Sequence, residues 1–532
     1  MTTTLTSPPE APTGGPPAGD ALLHSSWRVN PQVDLRSESF GALAYDFGTR
    51  RLSFLKSPLL VRVVRALADQ PTAAAACRAA GVGDDELPRY ERALRTLADS
   101  GMIVPAPPTP TTAPLAEPPA PAPVAEVVPP DAIAVPAARK ATPRPVTLVD
   151  RFQSGLDAPI CLTWELTYSC NLACAHCLSS SGRRDPRELS TEECRAVIDE
   201  LERMKVFYVN IGGGEPTIRA DFWDLVDYAT AHHVGVKFST NGTRITPAIA
   251  RRLAASDYVD VQISLDGATA EVNDAVRGEG SYAAALAAMG HLADAGFKGF
   301  KISVVMTRHN IGQLDQLKAL ADRFEAQLRI TRLRPSGRGA DVWDTLHPTD
   351  GQQRELYQWL LAHGEQVLTG DSFFHLAGYG EPLPGLNLCG AGRVVCLIDP
   401  VGDVYACPFA IHDRFRAGNV RTAGGFSDVW RHSDLFTELR EPQSGGPCQA
   451  CDAYDACRGG CMAAKFFTGM DLQGPDPECV RGHGLAPGQR GDPAAPRTSV
   501  DHTVSRQPVP VHFARSVRAC EESPLAGLDR RH

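Results

Sequence analysis

The stretch Cys161-Leu162-Thr163-Trp164-Glu165-Leu166-Thr167-Tyr168-Ser169-Cys170-Asn171-Leu172-Ala173-Cys174-Ala175-His176-Cys177 decides how this chain is read. Its first half, Cys161 to Thr167, is apolar and β-branched and predicts a short buried strand. Its second half places three thiols within eight residues, as Cys170-x3-Cys174-x2-Cys177. Such spacings let one loop wrap its sulfurs around a single iron–sulfur cube. The loop supplies only three thiols, so one iron is left open to a substrate. The plainer alternative is half of a zinc site, which needs a fourth Cys or His nearby. His176, lying between two of the thiols, is poorly placed to complete a tetrahedron with them. A companion segment, Gly212-Gly213-Gly214-Glu215-Pro216, follows a second apolar strand.

Working outward, six strands alternate with helical segments. The strands are expected at Cys161–Thr167, Tyr208–Gly212, Val236–Thr240, Val259–Leu265, Lys301–Thr307 and Leu328–Leu333. Ser190 with Glu193 three residues on is a capping-box start for the first helix. Others are expected near Phe222–His232, Thr246–Ala255, Tyr282–Ala295 and Gln313–Phe324. Units of this kind make an α/β fold with a parallel sheet and ligands at the strand C-termini.

Together the two motifs resemble the radical S-adenosylmethionine enzymes, with Cys170, Cys174, Cys177 and Gly213 to Pro216 matching residue for residue. The resemblance implies a partial (β/α)6 barrel whose three-thiol 4Fe-4S cluster is chelated by the methionine moiety of S-adenosylmethionine. It implies that the Gly213, Gly214 and Glu215 segment holds the amino group of that cofactor. Ser264 at the end of the fourth strand and Arg277 of the Arg277-Gly278 pair are implied contacts, and His176 stands where the loop meets adenine. A fixed guanidinium suits a carboxylate. Asn241 and Asp266 have equally good roles in their own turns.

Eight more thiols follow the barrel: Cys389, Cys396, Cys407, Cys448, Cys451, Cys457, Cys461 and Cys479. They make two complete four-thiolate sets, for two further clusters or for two zinc sites. The spacing resembles the SPASM extension of peptide-modifying radical enzymes. By that resemblance Cys389, Cys396, Cys407 and Cys461 hold one auxiliary 4Fe-4S cluster, and Cys448, Cys451, Cys457 and Cys479 the other. Cys77, Cys161 and Cys194 are read as small apolar packing groups. Cys520 lies in the tail and is assigned no role.

The expected organisation is a disordered start (residues 1–24), a small α+β, winged-helix-like domain (25–105) and a Pro/Ala-rich linker (106–145). The barrel (146–370), the cluster domain (371–484) and a disordered tail (485–532) follow. In the small domain, a hairpin is expected over Leu43 to Leu55. Helices are expected from Ser57-Pro58, over Thr72 to Ala80 and over Asp85 to Ser100, with Gly101 as C-cap. This pattern is that of winged-helix DNA binders, but eleven Lys/Arg against nine Asp/Glu between Trp27 and Gly101 is a weak footprint for DNA. It also resembles the peptide-recognition domains of ribosomal peptide modification, which take a leader peptide as an added strand, and more closely the binding protein of the mycofactocin pathway. The linker, up to about 120 Å long if polyproline-like, would raise the effective concentration of a captured substrate. Alternatively it is an inert spacer.

Net charge of −9 over 532 residues argues against a general affinity for nucleic acid or anionic membrane. The start has no secretory signal and no run is long enough to span a membrane. Fifteen cysteines therefore point to metal ligation in a reducing cytoplasm rather than to disulfides. Pro408 stands where sulfatase maturases carry a catalytic Asp. The run Thr163 to Cys177, the eight-thiol set and the fused domain look most like the mycofactocin maturase family. That resemblance implies oxidative decarboxylation of the C-terminal tyrosine of a short precursor peptide, then a carbon–carbon bond to the preceding valine. It also implies an electron donor such as flavodoxin or ferredoxin. Beyond the cluster cysteines no catalytic residue is named. Competing readings are another SPASM peptide maturase forming a thioether or other carbon–carbon bond, a redox-sensing DNA-binding regulator, and a zinc scaffold.

Overall fold

The computed structural model describes residues 22–49, 51–107, 155–364, 366–369, 373–383, 389–441 and 446–484. The expected linker from Pro108 on, the tail with Cys520 and the start before Leu22 lie outside them. The chain divides into two compact units, Met1–Thr147 and Leu148–His532.

In the first unit an antiparallel meander joins β2 (Val33–Glu38), β3 (Gly41–Asp46) and β4 (Arg51–Leu55), while β1 (Trp27–Val29) pairs with β5 (Ile103–Pro105). Three helices, α1 (Pro58–Ala66), α2 (Ala73–Ala79) and α3 (Leu87–Asp99), stand between β4 and β5. Each start has a local cause. Asp46 Oδ1 accepts the amides of Gly48 and Thr49 and turns β3 into β4, and the Ser57 and Thr72 hydroxyls cap α1 and α2. The core includes Val63, Ala76, Cys77 and Leu94, all fully buried. The expected two-strand pattern is corrected to five strands. β2 was hidden because Asp34, Arg36 and Glu38 break its apolar pattern, the last two forming a buried ion pair at 2.7 Å. Leu22 to His24, expected to be disordered, belong to the folded unit. Leu22 is buried and its carbonyl accepts the indole N–H of Trp27, because a buried indole requires an acceptor.

The second unit is built on one continuous sheet. β6 (Cys161–Thr167), β7 (Tyr208–Gly213), β8 (Gly235–Thr240), β9 (Val259–Ser264), β10 (Lys301–Met306) and β11 (Gln327–Arg332) lie side by side in sequence order, all parallel. A short β12 (Val367–Leu368) extends the β11 edge. On the other side, β13 (Val395–Ile398) pairs parallel with β6, and β14 (Asp403–Tyr405) and β15 (Arg416–Asn419) follow antiparallel. Because β13 takes the free edge of β6, the ring stays open and the barrel is partial. Strand alternation sorts the side chains. Leu162, Trp164, Phe238, Val261, Ile263, Val304 and Ile330 are buried in the apolar core. Thr163, Glu165, Asn210, Gln262, Ser303 and Arg329 instead line the inner wall.

The expected helices appear as α4 (Thr191–Arg203), α5 (Phe222–Ala231), α6 (Pro247–Ala254), α8 (Ser281–Asp294) and α9 (Leu314–Arg323), and α4 carries the full Ser190–Glu193 capping box. The sequence reading missed α7 (Ala270–Arg277), which starts at the Thr269 cap and places Arg277 in its last turn, before Gly278. No helix among the described residues is long and apolar enough to cross a membrane.

Candidate active site

The three thiols sit on the loop that leaves β6. Tyr168 and Gly182 exchange backbone bonds with their neighbours (Cys170 N to Gly182 O and Gly182 N to Tyr168 O, each 2.8 Å), closing the loop at its base. Glu188 fastens the end of β6 by accepting from Thr167 Oγ1 and the Tyr168 amide. Further along, Ala175 N donates to Val276 O on α7, and Arg338 grips the loop through Cys174 O, Ser181 O and its own amide to Cys177 O, all at 2.9 Å. Burial pushes the Cys170 thiol up to about 12, and the Leu172 amide only partly offsets this. Burial raises Cys174 as well, opposed by the nearby Arg277 charge. Such thiols become anions when a metal centre takes their protons.

β7 leads into three glycines, Gly212 to Gly214, and the geometry demands the last two. A Cβ on Gly214 would lie 2.0 Å from Ser169 O, and one on Gly213, at φ +104°, 2.6 Å from Thr167 O. Gly212 has open space instead and presents bare backbone to the cavity. Glu215 is fully buried and ringed by donors: Thr217 Oγ1 at 2.6 Å, Thr240 Oγ1 at 2.8 Å and Asn241 N at 2.7 Å. Burial nonetheless holds its carboxyl above the usual range, and a cationic group beside it would reverse that shift. Asn241 supports this arrangement, donating to Asn171 of the cysteine loop at 2.7 Å.

Asp266, completely buried, lies 2.6 Å from His176 Nε2 and 2.6 Å from Arg277 Nε, and accepts the Val305 amide at 2.8 Å. Burial alone would raise its carboxyl, but Arg277 and His176 hold it well below the carboxylate range. Its role is to orient two residues that face the cavity, which neither a turn nor a cofactor contact describes. The His176 imidazole is thereby engaged in the protein.

The loop thiols, His176, the glycine run with Glu215, Asn241 and Arg277 border one cavity of about 590 Å³. Its lining contains Cys170, Cys174, Cys177, Gly213, Gly214, Glu215, Ser264 and Arg277, together with Cys389, Cys407 and Cys461. Burial drives the Cys407 thiol well up, and Cys389 and Cys461 add to the shift, so these three share one electrostatic neighbourhood. Cys396, buried on β13, does not line the cavity. Cys448, Cys451, Cys457 and Cys479 are gathered elsewhere: after burial, Cys479 and Cys451 raise Cys448, and Cys479 and Cys448 raise Cys457, which reaches about 12. The eleven thiols of the three proposed sets, with Cys77 and Cys194, are free of disulfides, and among the described residues no three His, Cys, Asp or Glu side chains close around a single ion. Cys77 and Cys194 are buried packing groups. Arg338 and the bond from Asp266 to His176 escaped the sequence reading, because each spans 90 or more positions.

Residues 26–104 match the peptide chaperone MftB family, residues 164–321 the radical SAM superfamily and residues 389–452 an iron-sulfur cluster-binding domain. The chain is 70% identical over 384 residues to the mycofactocin maturase MftC of Mycolicibacterium smegmatis, covering 71% of this chain and 98% of that one. The crystal structure of Streptococcus suis SuiB bound to S-adenosylmethionine superposes with a TM-score of 0.59 at 15% identity, covering 85% of this chain and 99% of that one. SuiB bound to its precursor peptide SuiA gives 0.54 at 15% identity, covering 82% and 96%. These two likenesses concern the fold. The three-thiol loop, its glycine-rich partner strand and the 70% identity place the chain in the mycofactocin maturase family of radical S-adenosylmethionine peptide-modifying enzymes.

Proposed function

We propose that this chain decarboxylates the C-terminal tyrosine of a short precursor peptide oxidatively and then joins that tyrosine to the preceding valine through a carbon–carbon bond. The observation that carries the reading is the single cavity bordered at once by Cys170, Cys174 and Cys177, by Glu215, and by Cys389, Cys407 and Cys461. The donor chemistry fits three 4Fe-4S clusters. Cys170, Cys174 and Cys177 would hold the one that takes S-adenosylmethionine. Cys389, Cys396, Cys407 and Cys461 would hold the second, and Cys448, Cys451, Cys457 and Cys479 the third. When bound, cluster and cofactor supply a radical able to remove a hydrogen atom from an unactivated carbon.

The chain's own residues bind, orient and exclude water. Gly212 to Gly214 would let backbone approach the cofactor, Glu215 would receive its amino group, and Ser264 and Arg277 would hold its polar edge. Asp266 fixes the Arg277 guanidinium beforehand, so little orientation is lost on binding. Residues 25–105 would capture the peptide leader as an added strand on a free edge of the β2–β3–β4 sheet, as the match to a peptide chaperone family supports. The linker, the barrel to residue 370 and the cluster domain to 484 would follow in the order expected, with an external flavodoxin or ferredoxin as reductant in the cytoplasm.

The test has two parts. Anaerobically reconstituted protein should hold about twelve irons, falling to about eight in the Cys170/Cys174/Cys177→Ala variant together with loss of cofactor cleavage. The parent should release one carbon dioxide from a Val-Tyr-ending precursor. 5′-Deoxyadenosine formed without carbon dioxide would instead favour another peptide modification, and zinc without iron would end the radical reading.

A further inference from the structure

The inner wall carries more arginines than carboxylates. Five arginines line the cavity, namely Arg277, Arg329, Arg332, Arg334 and Arg338, against two carboxylates, Glu165 and Glu215. Arg277 is matched by Asp266, and Arg332 by Asp476 and Glu478. Arg334 lies over the ring of Phe409 at 4.2 Å, and Arg338 is engaged by the carbonyls of the cysteine loop. Arg329 stands apart. Among the described residues its guanidinium has a single hydrogen-bond partner, Gln262 Oε1 at 2.9 Å from Nη1, and no carboxylate.

That one bond is itself supported. Gln262 donates its Nε2 to Ser239 Oγ at 3.0 Å, so a neutral chain across β8, β9 and β11 aims the cation from the wall. Register puts Arg329 level with Ser303 and Ser264, two small hydroxyl side chains of the same lining. A half-buried guanidinium facing a cavity with only neutral oxygen beside it is an anion site awaiting its anion.

We propose that Arg329, oriented by Gln262, receives the C-terminal carboxylate of the precursor peptide and so selects a free chain end over an internal or amidated residue. This rests on the reading that the last residue of the peptide is the one that reacts. A carboxylate held there is fixed relative to the β-carbon of the same residue, which is what position-selective hydrogen removal needs.

The test uses full-length reconstituted protein with S-adenosylmethionine and two probes, acetyl-Val-Tyr as the free acid and as the C-terminal amide. The free acid should bind the parent about ten- to a hundredfold more tightly than the amide. Arg329→Gln should erase that preference and Arg329→Lys should keep part of it, which separates lost charge from a disturbed wall. Equal binding of the two probes to the parent, binding of neither, or a preference that survives Arg329→Gln would overturn the assignment. So would a loss of S-adenosylmethionine affinity in Arg329→Gln with the acid preference intact, since that would give the arginine to the cofactor. Carbon dioxide release from the intact precursor judges the reaction itself, independently of these affinities.

Discussion

The Tyr168 hydroxyl donates to Asp399 Oδ2 at 2.8 Å, joining the residue two before the first loop thiol to the turn between β13 and β14. The other oxygen of Asp399 accepts the amides of Val401 and Asp403. Burial raises the carboxyl from its ordinary value of 3.8 to about 7, with the Asp403 charge adding to it. The folded state therefore keeps a proton that the unfolded chain gives up between about pH 4 and pH 7. Stability should fall as pH rises through that window and level off above it. Asp399→Asn preserves the amide acceptor and donates to Tyr168 instead, so it should gain on the order of 2 kcal/mol over the parent at pH 8 and almost nothing at pH 4. Urea midpoints at the two pH values check this; an unchanged difference between parent and variant would refute it.

Asp266→Asn removes the buried anion between His176 and Arg277 and strands the guanidinium, which should cost about 3–5 kcal/mol. Pairing it with Arg277→Met should restore part of the stability, because both charges then leave together. S-adenosylmethionine affinity should stay low in the double variant, since the proposed contact is gone. Calorimetric melts with binding titrations separate the two effects. A single variant as stable as the parent would show that the ion pair matters little.

Gly214→Ala pushes a methyl group against Ser169 O, and the cysteine loop must move to admit it. The cost should be about 1–3 kcal/mol. Cofactor cleavage should fall by at least a hundredfold, while iron held by the eight downstream thiols is retained. Undiminished cleavage by the variant would mean that the loop and β7 do not need this close approach.

Ser190→Ala removes the hydroxyl that accepts the Glu193 amide at the start of α4. About 1 kcal/mol of stability should be lost with turnover unchanged. A large change in turnover would place this helix start closer to the chemistry than its geometry suggests.

The parts legible in the sequence are those whose causes are local. Cys161–Thr167 is a strand end to end because its apolar and β-branched residues say so, and Ser190 with Glu193 announces α4 within four residues. Other features depend on partners far along the chain. The β13–β6 pairing joins Val395 to Cys161, and nothing around either residue points to the other. Helix α7 is as long as α6 and carries the same kind of threonine cap, so its start at Thr269 was legible too. Asp266 read as a turn residue because its turn is local, whereas His176 stands 90 positions before it and Arg277 comes within reach only through α7. Arg329 gave no signal, since a lone arginine in a strand is remarkable only when the cavity in front of it is known.

The parallel pairing of β13 with β6 also bears on how the protein can be divided. A chain ended after β12 would leave Cys161 to Trp164 with a bare row of amides and carbonyls, in an apolar strand that invites a second copy to dock. Expressed alone, such a barrel should accumulate as insoluble aggregate, so its solubility depends on residues more than two hundred positions downstream of the strand they cover.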